Sequence, residues 1–380
     1  MHEAERMLNM KIKKVEVFAA RLLLKEPFVI SYVHLDDMPT IFVRVETDEG
    51  TVGWGEAVPD QNVTGETWES TYHVIKHELA PLIINEDPFA IDYIHQKFSH
   101  KINGVPSAKA ALDIAIYDLM GKITGQPVYQ LIGGKAHKEL QVPRVISIKD
   151  PQEMAEDARS FVEAGFRNIK MKVGTNADID IERIKAVRNA IGNTIQLRVD
   201  ANQGWNRIEA LKVIRETSEC HVDWYEQPVK AHDIRALKEI RSVANHKVMI
   251  DEGVHNIYDL VNVIEMRAAD MLNIKLMKSG GIYPALALAS LAEAADMPCQ
   301  VGSMVESAIG TMAGAHLAMS KNIIQTNEMV GPLMFIKDVA KVHYNRDVIQ
   351  FSNNPGLGID VDEAYVNEIT RFSCEINKPV

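Results

Sequence analysis

The stretch NIKMKVG, residues 168–174, is short and mostly apolar, yet it sets two lysines one residue apart. Side chains alternate along a strand, so Lys170 and Lys172 project to one face and Met171 to the other. A core strand that aims two ammonium groups at one place must meet something there that answers their charge. Seven other short β-rich runs share its character: VPRVISI (142–148), IQLRVDAN (195–202), VDWYEQP (222–228), KVMIDEG (247–253), DMLNIKL (270–276), CQVGSMVES (299–307) and IIQTNEM (323–329). Stretches of helical periodicity such as DPQEMAEDARSFVEAG and YDLVNVIEMRAA separate them. Eight strands alternating with helices predict a (β/α)8-type, TIM-like barrel. A doubly wound open sheet fits less well, because no GxGxxG follows a first strand. The helix after the eighth strand is weak, which makes barrel closure the least defined part of the pattern.

Upstream, KIKKVEVFAARLLL, IFVRVETDEG and TVGWGEAV form an antiparallel meander with a DEG turn before the last strand. Helical segments follow at 67–85, 87–100 and 106–124. The chain therefore divides into a flexible extension (1–9), an α+β capping domain (10–135), the barrel (136–335) and a C-terminal segment (336–380) that returns to the cap. Met10 starts the folded part, and the charged opening MHEAERMLNM lacks the apolar region of a secretory signal.

At 380 residues, with 46% hydrophobic and 24% charged residues, the composition is that of a globular protein. The net charge of −11 disfavours nucleic acid and anionic membranes as partners. No apolar run approaches the roughly 18–20 residues that cross a bilayer. Cys220, Cys299 and Cys374 have no zinc-type spacing and fit a reducing cytoplasm. The sequon at Asn62 is then idle. His34, His255, His316 and His343 are isolated and read as surface or packing residues, His34 less so because of its loop. IGGK (132–135) lacks the spacing of a phosphate loop and reads as an interdomain turn. Cys299 and Met-rich pieces such as LNIKLMKSGG read as core or barrel wall.

Barrel active sites are built at the C-terminal ends of the strands. Those ends carry Lys170 and Lys172, Asp200 and Asn202, Glu226, Asp251 and Glu252, and Lys275. A single one of these is an ordinary salt bridge; charges on five successive strands converge on one mouth. Asp200, Glu226 and Asp251 are hard oxygen ligands from adjacent strands and suit Mg²⁺, with Mn²⁺ as substitute. Separate ion pairs with the lysines are the bland alternative, but three carboxylates crowded together repel without a cation. Lys275 lies four strands from Lys172, so a carboxylate substrate would sit between two amines. Positive charge from Lys170 and the cation would lower the pKa of Lys172 and make it a base.

At these residues the chain resembles the enolase superfamily, in its muconate-lactonizing-enzyme-like subgroup. The resemblance covers most of 11–375 and rests on GWGEA, AKAALDIAIYDLMGK, YQLIGGK, KMKVG, VDANQGW, YEQPV, IDEG, NIKLMKSGG and PGLGI together. It implies that Asp200, Glu226 and Asp251 bind Mg²⁺, that Lys172 and Lys275 are the acid/base pair, and that Lys170 assists electrostatically. Asn202 and Glu252 match supporting positions. The implied chemistry is 1,1-proton transfer at the α-carbon of a carboxylate through a metal-stabilised enediolate. Within the subgroup, the resemblance is greatest to racemases of N-succinyl (N-acyl) amino acids, particularly Arg and Lys derivatives. Dipeptide epimerases, o-succinylbenzoate synthases and cycloisomerases are the enzyme alternatives, and a binding-only barrel the non-enzyme one. The resemblance also implies a homo-oligomer.

ISYVHLDDMPT (30–40) resembles the family's mobile loop over the barrel mouth; with PDQNVTGE (59–66) it is expected to select the substrate side chain. Tyr32, Asp36, Asp37, Asp60 and Glu66 there, with Ser303, Met304, Glu306 and Glu328 from the barrel, are the expected substrate contacts. The four acidic cap residues suit a cationic side chain. Dipeptide epimerases that the chain resembles carry Asp-x-Asp after the eighth strand. Here QTNEMVGPL offers Glu328 alone, which favours an acylated over a free amino group.

Overall fold

The computed structural model describes residues 10–379; the expected extension at 1–9 lies outside them. The chain opens with β1 (Ile12–Ile30), β2 (Val33–Thr47) and β3 (Val52–Ala57), an antiparallel meander in the order β1-β2-β3. The DEG turn falls between β2 and β3. A helical run from Trp68 to Ile83 carries one π turn at Ile75–Leu79, and helices Ile91–Lys101 and Pro106–Thr124 follow. The last of these is almost wholly buried against β3. Close approach there explains the glycines of GWGEA, since a Cβ on Gly55 would lie 1.9 Å from the Ala111 carbonyl oxygen.

After a short β4 (Leu140–Gln141), eight parallel strands follow with helices between them. They are β5 (Arg144–Ile146), β6 (Asn168–Lys172), β7 (Gln196–Asp200), β8 (Trp224–Glu226), β9 (Lys247–Ile250), β10 (Met271–Ile274), β11 (Cys299–Val301) and β12 (Ile324–Asn327). They pair in sequence order from β5 to β12, the arrangement of a TIM-like barrel. Every strand is shorter than its apolar run because the last residues of each run leave the sheet to build the mouth. Asn176, Asn206 and Asn256 start three of the barrel helices by accepting hydrogen bonds from first-turn amides.

At the seam between β12 and β5 no ladder is formed; Asn327 Nδ2 instead donates to the Gln141 carbonyl of β4 at 3.0 Å. β13 (His343–Asn345) and β14 (Val348–Gln350) extend β4 into a three-stranded sheet. β15 (Thr370–Ile376) then pairs antiparallel with β1, so the tail returns to the cap sheet. No helix among the described residues is long and apolar enough to cross a membrane.

The segment 30–40 is chiefly strand rather than loop. β1 and β2 pair to their tips, Ile30 opposite Val33, and only Ser31 and Tyr32 turn the hairpin. That tip reaches the barrel, where Ser31 Oγ donates to the Asn202 carbonyl at 2.8 Å.

Candidate active site

Register sets the site. Lys172 of β6 lies beside Asp200 of β7, and Asp200 beside Glu226 of β8, so the three share one level of the wall. Alternation then turns Lys170, Arg198, Asn273 and Gln300 inward with them. Lys170, Lys172, Asp200, Glu226, Asp251, Glu252 and Lys275 are all buried. Charges at such depth require partners at close range.

Lys172 Nζ lies 2.7 Å from Asp200 Oδ2 and 3.1 Å from Asn202 Oδ1. Asn202 holds a left-handed backbone (φ 40°) that an asparagine tolerates better than most residues, and its Nδ2 donates to Glu252 at 3.1 Å. Across the mouth, Lys275 Nζ is 2.7 Å from Asp251 Oδ2. Lys170 is enclosed: Asp200 lies at 2.8 Å, both Glu226 oxygens at 2.9 Å, and Glu328 in short contact. Its ammonium thus faces three carboxylates and does not confront Lys172 unopposed.

Burial works against the charge of Lys170, but Asp200, Glu226 and Glu328 outweigh it and hold the ammonium well above lysine's usual range. Lys275 is likewise raised, with Asp251 and Glu252 overcoming burial. Burial also opposes ionisation of Asp200 and Asp251, yet each stays below the usual carboxylate range, Asp200 beside Lys170 and Lys172, Asp251 beside Lys275 and Lys278. Glu226 moves the other way: burial and the Asp200 charge raise it well above that range. The Lys170 ammonium beside Glu226 works against that rise. Glu252 is pushed up to about 7 by burial and Asp251.

The carboxylates converge, but lysine ammonium groups stand between them, and no three His, Cys, Asp or Glu side chains among the described residues are grouped to hold a metal ion. The donor chemistry nevertheless suits a hard divalent cation. Glu252 Oε2 and Asn273 Oδ1 are buried acceptors without a hydrogen bond, and the two Asp251 oxygens each face a lysine ammonium at 2.7 Å. All are oxygens, as Mg²⁺ prefers.

A cavity of about 290 Å³ lies over this mouth, walled by both the cap and the barrel. Lys172, Asn202 and Lys275 reach it from the barrel with Ser303 and Met304, and Phe28, Tyr32, Asp60 and Glu66 from the cap. Tyr32 donates to Asp60 at 3.2 Å. Other expected contacts stand elsewhere. The Asp36 side chain is exposed beside His34, and Asp37 pairs with Arg21 at 2.7 Å; neither borders the cavity. The Glu66 carboxylate accepts from Ser107 and Ala108 amides, capping the buried cap helix. Glu306 accepts from Ser303 and the Met304 amide beneath the wall, and Glu328 faces Lys170 and Gln300. His255 Nε2 meets the Val63 carbonyl at 2.6 Å, and His316 sits between the Tyr129 amide and the Leu357 carbonyl.

Sequence reading passed over Asn273, Gln300 and Lys278. Asn273 Nδ2 donates to Glu226 at 2.8 Å, and Gln300 Nε2 to Glu328 at 3.0 Å. The signal was available, since MLNI and CQV each place a polar residue inside an apolar strand, as KMK does.

Residues 12–133 match the mandelate racemase / muconate lactonizing enzyme N-terminal domain, and residues 153–365 the enolase C-terminal domain-like family. The chain is 51% identical to the N-succinyl-L-Arg/Lys racemase of Bacillus cereus, over 96% of this chain and 99% of that protein. It is 38% identical to an L-Ala-D/L-Glu epimerase of Clostridium acetobutylicum, over 92% of this chain and 99% of that one. The crystal structure of the Bacillus cereus N-succinyl Arg/Lys racemase superposes with a TM-score of 0.95 at 50% identity, covering 96% of this chain and all of that one. The dipeptide epimerase of Cytophaga hutchinsonii, complexed with Mg and D-Ala-L-Val, superposes at 0.93 with 35% identity, over 97% of this chain and 100% of that one.

Proposed function

We propose a function from one premise: this chain belongs to the mandelate racemase / muconate lactonizing enzyme family of the enolase superfamily. It is an isomerase, a racemase of N-succinyl amino acids with basic side chains, working by proton transfer at the α-carbon. The observation that carries this reading is one cavity bordered by two lysines, Lys172 at the end of β6 and Lys275 just after β10, four strands apart. A substrate α-carbon held between them would present one face to each. Lys275, beside Asp251 at 2.7 Å, is placed to deliver a proton to one face; Lys172 is the base for the other, and the roles exchange for the opposite enantiomer. Asn202 fixes Lys172 by hydrogen bond, and the cap wall excludes water from the carbanionic centre.

Asp200, Glu226 and Asp251 would hold the Mg²⁺, with Asn273 and Glu252 oxygens beside them. Bound there, the cation supplies neutralisation of charge developing on the substrate carboxylate. Lys170 contributes fixed positive charge below the same point. Asp60 is the cap carboxylate placed to meet a guanidinium or ammonium side chain: its Oδ1 accepts from the Asn62 and Val63 amides and its Oδ2 only from the Tyr32 hydroxyl, whereas Asp36 and Asp37 stand away from the cavity and an amide takes each Glu66 oxygen. Glu328, engaged by Lys170, offers no free counter-charge for an unacylated amine, which supports an acylated substrate.

The test is ¹H NMR in D₂O with Mg²⁺, comparing N-succinyl-L-Arg, N-succinyl-L-Lys, N-succinyl-L-Phe and L-Ala-L-Glu. Deuterium should enter the α-position of both enantiomers, with the highest kcat/KM for the two basic substrates. A lead for L-Ala-L-Glu would make the protein a dipeptide epimerase; no exchange with any substrate would end the racemase reading.

A further inference from the structure

Lys278 lies three residues after Lys275 in the apolar run KLMK, and the racemase reading gives it no part. Its side chain is 1% exposed and does not border the cavity. An ammonium has three N–H donors, and three main-chain carbonyls face this one: Asp251 in short contact, Val254 at 3.0 Å and Asn273 at 3.1 Å. Asp251 and Val254 belong to the turn after β9, while Asn273 is inside β10. One nitrogen therefore ties the end of a strand to its neighbour.

The same nitrogen is 2.7 Å from Asp251 Oδ1, nearer than the Val254 and Asn273 carbonyls. Lys278 therefore lends its charge to the carboxylate while its N–H donors hold the main chain that carries it. Lys275 stands 2.7 Å from the other oxygen, on the cavity side. Asp251 is thus flanked by two lysines of different kinds, one able to reach a substrate and one sealed beneath. A sealed ammonium is costly to bury, and a methionine of similar length would pack there with less desolvation.

We propose that Lys278 is a positioning residue: it fixes the turn that carries Asp251 and Glu252, so that the Asp251 carboxylate is presented to the cation and Lys275 is held opposite Lys172. Lys278 itself transfers no proton. The proposal rests on the metal-assisted racemase reading for its catalytic half and on geometry alone for its metal half.

The experiment replaces Lys278 by Met and measures Mn²⁺ affinity by calorimetry alongside kcat and KM for N-succinyl-L-Arg at saturating metal. Groups that orient a metal ligand typically change metal affinity or activity by about 10–100-fold when removed; losses of that size are expected in Mn²⁺ affinity and kcat, with KM nearly unchanged. Met154→Ala, a core substitution in the helix Pro151–Glu163, is the control for stability loss and should leave Mn²⁺ affinity as in the wild type. Lys278→Ala, refolded with and without ethylammonium, decides the matter should the Met variant not fold. Ethylammonium, with N–H donors, should restore Mn²⁺ affinity, and tetramethylammonium should not. Wild-type Mn²⁺ affinity in Lys278→Met, or no response of Lys278→Ala to ethylammonium, overturns the proposal. Weakened Mn²⁺ binding in a protein whose wild type racemises nothing would leave the metal half standing and remove the racemase reading.

Discussion

Lys172 and Lys275 each lie 2.7 Å from a buried aspartate, Asp200 and Asp251, on opposite walls of one cavity. Each variant to Ala should therefore stop racemisation, with kcat down by about 10²–10⁴-fold, the usual contribution of a positioned acid or base. Each should retain α-proton exchange with solvent from a single enantiomer, the one whose proton faces the remaining lysine; NMR of both pure enantiomers reads this directly, and equal exchange from both would exclude two separate bases. Asp60→Asn should raise KM for N-succinyl-Arg more than for N-succinyl-Phe, because only the former brings a cation to that wall. These residues were legible in the sequence for a physical reason. A charge within an apolar strand contradicts its surroundings, and the contradiction repeats at the same parity on strand after strand. Neutral polar groups such as Asn273 and Gln300 contradict them less, and Lys278 was masked by the leucine and methionine beside it. Parity cannot tell a free carboxylate from a spent one either: Glu66 borders the cavity, but its oxygens belong to Ser107 and Ala108.

Elements of the cap hold the barrel by carboxylates set against helix starts. Asp113, in the helix Pro106–Thr124, accepts from the Ile282 and Tyr283 amides at the start of the barrel helix Ile282–Ala294. Glu56, at the end of β3, accepts from the Ser307 amide at 2.8 Å, its hydroxyl at 2.6 Å and the Gly310 amide at 2.7 Å, at the start of Ala308–Ser320. Asp113→Ala leaves buried amides without partners and should cost about 1–3 kcal/mol in denaturant unfolding. Glu56 adds a pH dependence. Burial, against the pull of the Ser307 and Gly310 donors, pushes it up to about 8. A carboxyl raised on folding contributes stability that is complete below its unfolded pKa, near 4.3, and is lost as pH climbs through its folded value. The wild-type melting temperature should fall between pH 5 and 9, and Glu56→Gln, which cannot ionise, should flatten that fall; parallel pH curves for the two proteins would contradict it. None of this was readable from GWGEA, because a capping carboxylate owes its role to a helix start some 250 residues further along. The hairpin that replaces the expected loop at 30–40 is hidden for a related reason: its strand pairing depends on β1, and HLDDMP reads locally as a turn.

On the scale of the whole molecule, the barrel interior carries five buried carboxylates (Asp200, Glu226, Asp251, Glu252 and Glu328) and four buried lysines (Lys170, Lys172, Lys275 and Lys278). Either set alone would be intolerable at that depth. The strand and helix alternation made the barrel plain from sequence, whereas its seam was not, since β4 is two residues long and its partners lie in the tail. The charge balance bears on what metal does for the fold. Because the lysines already answer most of the acid charge, the metal-free protein should remain folded, unlike small domains whose folding depends on a metal. A cation that binds only the native state still stabilises it by mass action, about 2.7 kcal/mol at a hundred times its Kd. Exhaustive chelation should therefore abolish racemisation yet leave the far-ultraviolet circular dichroism of the native protein. Restoring Mg²⁺ should return activity and raise the melting temperature by a few degrees, progressively with concentration. Lys170→Met shifts the balance toward the acids: its metal-free form should melt lower than the wild type, and its Mg²⁺-dependent rise should be larger, because Asp200, Glu226 and Glu328 lose a cation in direct contact. Full turnover by protein stripped of metal would break the assignment of Asp200, Glu226 and Asp251 as ligands, and unfolding on chelation would break the charge balance argued from the lysines.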